Sequence, residues 1–214
     1  MNVMSKTVTA WTSKVQSIDQ LEEIYGEPNP DSLAKEIDYI SEDYQKFIEA
    51  APFVVLATVG EEGLDCSPRG DPPGFVRVHD RKTVLMPDRK GNNRLDSLRN
   101  LVCEPRCSLL FLIPGVGETM RINGTAELVT DHALLESFSI QGKLPTLIVV
   151  VHVDRIYFQC PKALVRSRLW DPEVQVPRAD LPTAGQILRG LSDDDFDDKA
   201  YDKAYPEHLK KTIY

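Results

Sequence analysis

The sequence lacks any apolar run long enough to form a membrane-spanning helix. Such a helix needs about 20 residues, whereas apolar runs such as Leu147–Val151 are short and are interrupted, here by His152 and Asp154. The chain does not open with basic residues followed by an apolar stretch, so no secretory signal is expected. Of the 214 residues, 42% are hydrophobic and 27% are charged, which is typical of a globular protein with a buried core. We therefore expect a cytoplasmic protein that makes no membrane contact.

Cysteine and histidine are scarce, and neither is clustered. The chain has four of each, namely Cys66, Cys103, Cys107, Cys160, His79, His132, His152 and His208. Cys103 and Cys107 form a C-x3-C pair, which is not a usual zinc half-site, and no second pair completes it. We therefore expect neither a disulfide framework nor a metal site.

The chain also lacks the glycine-rich motifs of the common nucleotide-binding folds. Gly115 and Gly117 form only a G-x-G, without the third glycine of a dinucleotide-binding turn. No G-x4-G-K-[ST] phosphate loop is present either. These absences exclude Rossmann-type and P-loop folds.

Basic residues are outnumbered over the whole chain but not everywhere along it. The sequence has 25 Lys and Arg against 33 Asp and Glu, a net charge of −8, which disfavours a nucleic-acid partner. Segment 67–106 is the exception, with nine basic and five acidic residues. A local positive zone in an acidic protein suits one small anionic ligand, although a solvated basic surface would have the same composition.

Hydrophobic patterning divides the chain into helical ends and a β-rich middle. Capping residues and helical periodicity predict helices over 17–25, from 29 onward, and over 41–50, 92–100, 131–138 and 183–191. Alternating or β-branched runs predict strands over 53–59, 64–68, 75–79, 83–86, 107–113, 119–129 and 146–159. Because short turns join most of these strands, they indicate an antiparallel barrel or sandwich rather than a doubly wound parallel sheet.

The acidic run 192–198 has the composition of a calcium loop but not its spacing. It lacks the glycine at the sixth position and the glutamate at the twelfth position of an EF-hand loop. We interpret it as a solvated acidic cap before the last helix.

The densest polar cluster spans Met86–Arg94, where a predicted strand ends and a helix begins. Arg89 and Lys90 could clamp a phosphate there, Arg by its planar fork and Lys as a point charge. Free N–H groups of the following helix would add to the affinity for an anion. Gly91 would let a ligand approach the backbone, and two asparagines, Asn92 and Asn93, could cap the helix or bond the polar edge of a ring. A basic surface turn is the alternative interpretation.

Two further segments contribute candidate residues. Ser67–Asp71 ends another strand, and Arg69 could supply a second phosphate contact beside the space left by small neighbours. Arg121 and Gly124 lie within the predicted strand 119–129. A glycine in the middle of a strand indicates either a bulge or the close approach of another backbone or a ligand.

Taken together, these segments resemble the pyridoxamine 5′-phosphate oxidase-like FMN-binding split β-barrel family. The resemblance covers about residues 50–170 and is most specific at Arg89–Gly91 and along Arg121–Glu127. Segment 162–170 is similar to a stretch that a flavin-binding subgroup places near its cofactor. The resemblance implies a mainly β (α+β) fold, in which an antiparallel split β-barrel over 51–170 follows a helical extension over 1–50 and precedes a tail with short helices over 171–214.

The resemblance also implies an FMN held at the interface of a homodimer. Arg89 and Lys90 would hold its phosphate, and Arg69 and Asn93 could help. The 162–170 segment would approach from the partner subunit or the sheet edge. The residues implied to bind the cofactor are Ser67, Pro68, Arg69, Gly70, Asp71, Met86, Pro87, Asp88, Arg89, Lys90, Gly91, Asn92, Asn93, Arg121, Lys162, Arg166 and Trp170.

The function expected from this resemblance is an FMN-dependent oxidoreductase acting on an unknown small molecule. No catalytic residue is assigned, because hydride transfer is the chemistry of the flavin itself. A non-catalytic flavin-binding module or redox sensor fits the same sequence. Another planar anionic ligand, such as haem or a deazaflavin, is a further alternative, with haem disfavoured because the histidine nearest to the basic cluster is His79. The Arg-x-His substrate segment of true pyridoxamine-phosphate oxidases is absent, so no substrate site is predicted.

Overall fold

The computed structural model describes residues 11, 13–192 and 196–214, which divide into two compact units between Lys35 and Glu36. The first unit contains two helices, α1 (Ile18–Tyr25) and α2 (Pro30–Ala34). The Ser17 hydroxyl accepts a hydrogen bond from the backbone N–H of Gln20 and caps α1, as the sequence predicts. None of the helices in the described part of the chain is long and apolar enough to cross a membrane.

The second unit is built on a seven-stranded antiparallel sheet with the strand order β2-β1-β5-β6-β7-β4-β3. The strands are β1 (Phe53–Gly60), β2 (Gly63–Gly70), β3 (Arg77–Asp80), β4 (Thr83–Asp88), β5 (Arg106–Leu112), β6 (Thr119–Val129) and β7 (Leu147–Gln159). The helices are α3 (Glu42–Ala50), α4 (Asp96–Cys103), α5 (His132–Ser137), α6 (Lys162–Ser167), α7 (Ala184–Leu191) and α8 (Asp198–Thr212). The predicted mainly β fold, an antiparallel split barrel with flanking helices, is confirmed.

One face of the sheet carries the main core. Alternate side chains of β1 and β5 point to this face, including the fully buried Leu56 and Leu109. Helix α3 contributes Ile48, and α4 contributes Leu98 and Leu101. Burying a side chain of this size stabilises the fold by about 1.5–3 kcal/mol, so these two helices are held on the sheet by their apolar faces.

The opposite face is covered where β4 and β7 pair. Leu85, Ile148 and Val150 form a second cluster there with Phe138, which follows α5. The first half of β7 is therefore apolar on both faces, which explains why the 147–151 run does not alternate.

The sheet curls into an open barrel, with one margin formed by β2 and the other by β3 and the end of β4 that extends beyond it. From Arg69 on β2, one row of paired residues crosses the sheet through Val54, Phe111 and Met120 to Phe158 on β7. Asp88 on β4 instead lies opposite Leu147, near the other end of β7. Arg69 nevertheless contacts Asp88, so the barrel closes with a stagger of eleven residues, from 147 to 158. In the described part of the chain no backbone ladder joins β2 to β4.

Two predicted elements begin at least two residues later in the structure than the sequence indicates. The helix expected from residue 92 begins only at Asp96, because the Asn92 side chain accepts a hydrogen bond from the backbone N–H of Arg94 and Asn93 has a left-handed φ of 59°. The strand expected from residue 75 begins at Arg77, because Phe75 and its neighbour turn into the core instead.

Gly124 lies at a β-bulge. The register between β6 and β7 shifts between Asn123 and Gly124, and a Cβ at residue 124 would lie 1.9 Å from the carbonyl oxygen of His152. Both the bulge and the close approach of another backbone are therefore present, and the approaching backbone belongs to β7.

The acidic run before α8 falls partly on residues 193–195, which lie outside the described residues. Asp197 is described, and its carboxylate caps α8 by accepting a hydrogen bond of 2.9 Å from the backbone N–H of Ala200. Helices α7 and α8 are joined where the Asp202 carboxylate accepts a hydrogen bond of 2.9 Å from the backbone N–H of Gly185.

Candidate functional site

Two crossed ion pairs join the ends of β2 and β4. Arg69, on β2, donates through Nη1 to the Asp88 carboxylate at the end of β4. Arg89, the residue after Asp88, donates through Nε to Oδ2 of Asp71 at 2.8 Å. Each strand end thus supplies one cation and one carboxylate, and the predicted phosphate-binding residues Arg69 and Arg89 lie at the same margin of the barrel.

The carboxylates of these pairs are withdrawn from solvent. The side chain of Asp71 is 3% exposed and that of Asp88 is 10% exposed. Burial raises the pKa of Asp88, although the adjacent Arg69 acts in the opposite direction. With Lys90 included, three cations face two carboxylates, so the cluster carries a net positive charge even when both aspartates are ionised.

Several donors of this cluster are unused within the described chain. The Nε of Arg69 is buried without a hydrogen-bond partner. Arg89 uses Nε for Asp71, and neither of its terminal nitrogens is bonded to another described residue. Lys90 is exposed, and no ion pair to it is found among residues 13–192 and 196–214. A buried orphan donor, a planar fork and a free ammonium group form a donor set that suits a phosphate.

Tyr214 completes the cluster, and sequence reasoning missed it. Its hydroxyl donates to Oδ1 of Asp71 at 2.7 Å, and the Arg89 guanidinium carbon lies 5.7 Å from the centre of its ring. The Lys143 ammonium group donates to the Tyr214 carbonyl oxygen at 2.7 Å. The hydrogen bond to Asp71 raises the pKa of the Tyr214 hydroxyl. No sequence signal could have identified this contact, since 143 residues separate the partners.

A cavity of about 810 Å³ opens beside the cluster, between the 90–92 loop and α8. It is lined by Lys90, Gly91, Asn92, Tyr201, Ala204, Tyr205, His208, Leu209, Thr212 and Ile213. The volume lies within the range of ligand-binding cavities. Helix α8 brings His208 to the cavity that Lys90 lines, so a histidine lies near the basic cluster that the sequence argument, which considered His79, did not identify. The described residues contain no group of three or more His, Cys, Asp or Glu that could hold a metal ion.

The other predicted residues of β2 point in opposite directions. Ser67 faces inward, where it shares a hydrogen bond of 2.7 Å with Ser97, which in turn donates to Asp65. Pro68 and Gly70 lie on the exposed side of this edge strand. Ser67 therefore ties β2 to α4, and its hydroxyl is engaged within the protein.

The predicted residues around Arg89 differ in how far a ligand could reach them. Met86 is 1% exposed and packs in the main core, and Pro87 is also buried. Gly91 is exposed, and a Cβ there would meet nothing in the described chain within 4 Å. The 90–92 loop thus offers accessible backbone, whereas the two buried residues of β4 could offer a ligand only their main chain.

Four predicted residues are not brought to this cluster. Arg121 lies on β6, where its guanidinium is 3.1 Å from the Tyr157 hydroxyl. Trp170 donates from its indole nitrogen to the carbonyl oxygen of Val116 at 2.8 Å. Lys162 and Arg166 are exposed on α6. Helix α6 follows the end of β7 at Gln159, whereas Asp88 pairs with Leu147 at the beginning of that strand.

Comparison with known protein families finds one match over more than half of the chain. The model of the pyridoxamine 5′-phosphate oxidase family matches residues 40–160. This range begins two residues before α3, ends one residue after β7, and includes both crossed ion pairs. A search of curated proteins finds no significant match.

Solved structures similar to this chain include HupZ of Group A Streptococcus, with 22% identity over 56% of this chain and 94% of that one, at a TM-score of 0.46. An FMN-binding protein from Syntrophomonas wolfei has 12% identity over 53% of this chain and 82% of that one, at a TM-score of 0.42. An FAD-binding protein from Mycobacterium smegmatis has 17% identity over 57% of this chain and 97% of that one, at a TM-score of 0.39.

Proposed function

Because the chain belongs to the pyridoxamine 5′-phosphate oxidase family, we propose that it binds FMN and acts as an FMN-dependent oxidoreductase on a small molecule. The observation that carries this proposal is the pair of crossed ion pairs at the barrel margin. They hold Arg69 and Arg89 in place while leaving donors of both residues, and the whole of Lys90, free for an anion.

The phosphate of FMN would bind to the terminal nitrogens of Arg89 and to Lys90. A guanidinium can donate two parallel hydrogen bonds to a phosphate, and a partly buried setting strengthens such charge-assisted bonds. When no ligand is bound, Asp88 and Asp71 remain paired with Arg69 and Arg89. These pairs avoid the free-energy cost of an unpaired charge that is withdrawn from water. The net positive charge of the cluster favours an anion over a neutral ligand.

When bound, FMN would supply hydride transfer at its N5 atom. The task of this chain is to hold and orient the ring and to exclude water from it. The cavity beside the 90–92 loop offers space next to the proposed phosphate site, and its tyrosines and aliphatic side chains provide apolar walls. We assign no catalytic acid or base, in keeping with a reaction whose chemistry is that of the cofactor.

A second copy of the chain would complete the site. Lys162, Arg166 and Trp170 follow the opposite end of β7 from the residue that pairs with Asp88. We therefore propose that they reach the flavin from the partner subunit of a homodimer. In this proposal residues 51–170 form the flavin-binding barrel, and residues 1–50 and 171–214 are extensions of it.

The test is the flavin content of the purified protein and of an Arg89→Ala/Lys90→Ala variant. The wild-type protein should show a flavin absorption spectrum and release FMN on denaturation. Each charge-assisted contact contributes about 1.5–3 kcal/mol, so the double variant should bind FMN at least about tenfold more weakly. An Arg106→Ala/Lys46→Ala variant makes the same change of charge at exposed sites and should bind FMN normally. Equal flavin content in both variants would contradict this placement of the phosphate.

The same material separates the proposed enzyme from its alternatives. Rapid reduction of the bound flavin by NADH or NADPH, followed by reoxidation, would support an oxidoreductase. A tightly bound flavin that no donor reduces would indicate a non-catalytic module or sensor. A haem or deazaflavin spectrum would overturn the choice of FMN, and a colourless protein that does not respond to added FMN would overturn flavin binding itself.

A further inference from the structure

The contact between Tyr214 and Asp71 suggests a role for α8 and the residues that follow it. We propose that Tyr214 is a positioning residue for the anion site, which it serves by holding Asp71 and, through Asp71, Arg89. This inference rests on the proposed function, since it assigns a role in the binding of the FMN phosphate to a residue outside the segment that the family model matches.

The Asp71 carboxylate is held from two sides. Its Oδ1 accepts a hydrogen bond of 2.7 Å from the Tyr214 hydroxyl, and its Oδ2 accepts one of 2.8 Å from Nε of Arg89. Rotation of the carboxylate would lengthen one bond or the other. Because a guanidinium is rigid and planar, a fixed bond to Nε also fixes the direction of the two terminal nitrogens. The Tyr214 hydroxyl therefore helps to set where Arg89 presents its free donors.

Tyr214 is itself attached at a second point. The Lys143 ammonium group donates to its carbonyl oxygen at 2.7 Å, so the main chain is held as well as the side chain. Asp71 is also fixed through its main chain, because its N–H donates to the carbonyl oxygen of Pro52 at 3.1 Å. Both partners are thus restrained independently of their mutual hydrogen bond, which favours a geometry that persists when a ligand binds.

The surroundings make this hydrogen bond effective. The side chain of Asp71 is 3% exposed, and the Tyr214 ring lies beside Arg89 with 5.7 Å between the ring centre and the guanidinium carbon. Hydrogen bonds to a charged acceptor are stronger where water is excluded. If the Tyr214 hydroxyl is removed, Oδ1 of Asp71 loses its partner, and the carboxylate can turn and draw Arg89 away from a ligand.

The experiment uses two probes that differ only in the phosphate, FMN and riboflavin. Dissociation constants of both are measured for the wild-type protein and for Tyr214→Phe, which removes one oxygen atom. We expect the dissociation constant of FMN to rise about tenfold and that of riboflavin to change less than about twofold, because only FMN carries the group that Arg89 would bind. Tyr25→Phe, which changes a tyrosine that is 79% exposed, is the matched control and should bind both probes normally.

A second variant tests whether Tyr214 acts through Asp71. Asp71→Asn should lower the preference for FMN over riboflavin in the same way. The Tyr214→Phe/Asp71→Asn double variant should be little worse than Asp71→Asn alone, because effects that operate through one residue are not additive. Additive effects of the two substitutions would contradict the proposal that Tyr214 acts through Asp71.

The other possible results of the two binding measurements would overturn either the positioning role of Tyr214 or the proposed function. An unchanged preference for FMN in Tyr214→Phe, an equal loss for both probes, or tighter FMN binding would overturn the positioning role, the last by showing that Tyr214 obstructs the site. A wild-type protein that binds neither probe would overturn the proposed function, and the role of Tyr214 with it. Wild-type binding of FMN with an unaltered Tyr214→Phe variant would overturn the inference alone.

Discussion

Arg69 on β2 and Asp88 on β4 form an ion pair at the margin where the barrel closes without a backbone ladder, as far as the described chain extends. The row of paired residues that begins at Arg69 ends at Phe158 on β7, whereas Asp88 pairs with Leu147 on the same strand. A stagger of eleven residues along β7 therefore brings Arg69 and Asp88 together. A pair of side chains thus joins β2 to β4, whereas backbone hydrogen bonds join the neighbouring strands within the sheet.

Replacing Arg69 with methionine should destabilise the fold by about 3–5 kcal/mol, because it leaves the buried Asp88 without its cation. The loss should be smaller for Arg69→Met/Asp88→Asn, which removes both charges. Urea denaturation of the two single variants and the double variant gives the coupling energy. Strictly additive losses would show that the pair contributes nothing.

The loss of folding stability in the Arg69→Met variant should also depend on pH. Burial already raises the pKa of Asp88 in the folded protein, and removal of Arg69 raises it further. A carboxyl with a raised pKa binds a proton more tightly in the folded than in the unfolded state, so its contribution to stability falls as pH rises through the range between the two pKa values. The variant should therefore recover part of its stability as the pH is lowered from 7 towards 4, relative to wild type measured at each pH.

Replacing Gly124 with alanine should destabilise the protein by about 2–4 kcal/mol, since the new Cβ would lie 1.9 Å from the His152 carbonyl oxygen and the backbone of β6 or β7 would have to shift. Gly190→Ala is the matched control, because it adds the same methyl group to α7 at a position with open space around it. That change should be neutral or stabilising by up to about 1 kcal/mol. Thermal melts would distinguish the two, and a similar loss in both would contradict the interpretation of the bulge.

The four thiols should divide by reactivity. Cys66, Cys103 and Cys160 are exposed, whereas Cys107 is buried, and burial raises the pKa of its thiol to about 12. A thiol reagent at pH 8 should therefore modify three cysteines in the native protein and the fourth only after unfolding. Rapid native modification of a fourth thiol would contradict the burial of Cys107.

The same thiol affects stability in alkaline solution. Above its ordinary pKa of 9.0, Cys107 ionises in the unfolded chain but not in the folded one. Stability should therefore fall as the pH rises from 9 to about 12, because over this range the unfolded chain loses a proton that the folded chain keeps. Cys107→Ala should lose less stability over this range than wild type, whereas Cys66→Ala should behave like wild type.

Replacing Trp170 with phenylalanine should cost about 1 kcal/mol of stability, because the hydrogen bond to the Val116 carbonyl oxygen is lost. It should also weaken FMN binding if the 162–170 segment of one subunit contacts the flavin of the other, as proposed. Trp11→Phe, at a position that is 75% exposed, should leave both quantities unchanged. Denaturation curves and FMN titrations of the two variants provide the comparison.

Sequence reasoning was reliable where the signal is local and periodic. The helix Glu42–Ala50 and the strand Thr119–Val129 were predicted because a cap or an alternating pattern lies within the segment itself. The predicted start of α4 was wrong because the Asn92 side chain can accept a hydrogen bond either as a helix cap or within its own turn. The sequence alone does not show which of the two hydrogen bonds is more favourable.

Sequence reasoning identified only part of the candidate site, for a different reason. Arg69, Arg89 and Lys90 stand out as cations at strand ends. Their partners Asp71 and Asp88 were included by position only, because the crossed pairing depends on the stagger of the barrel, which no short segment encodes. Tyr214 and His208 reach the site through α8, far along the chain, and neither belongs to a motif.

The margin between β2 and β4 also makes the barrel sensitive to anions rather than to salt in general. The carboxylates of both ion pairs are nearly buried, so mobile ions screen these pairs only weakly. A small anion that binds to the two arginines would instead compete directly with Asp71 and Asp88. Such anions should therefore loosen this edge of the barrel, whereas inert salts at the same ionic strength should leave it nearly unchanged.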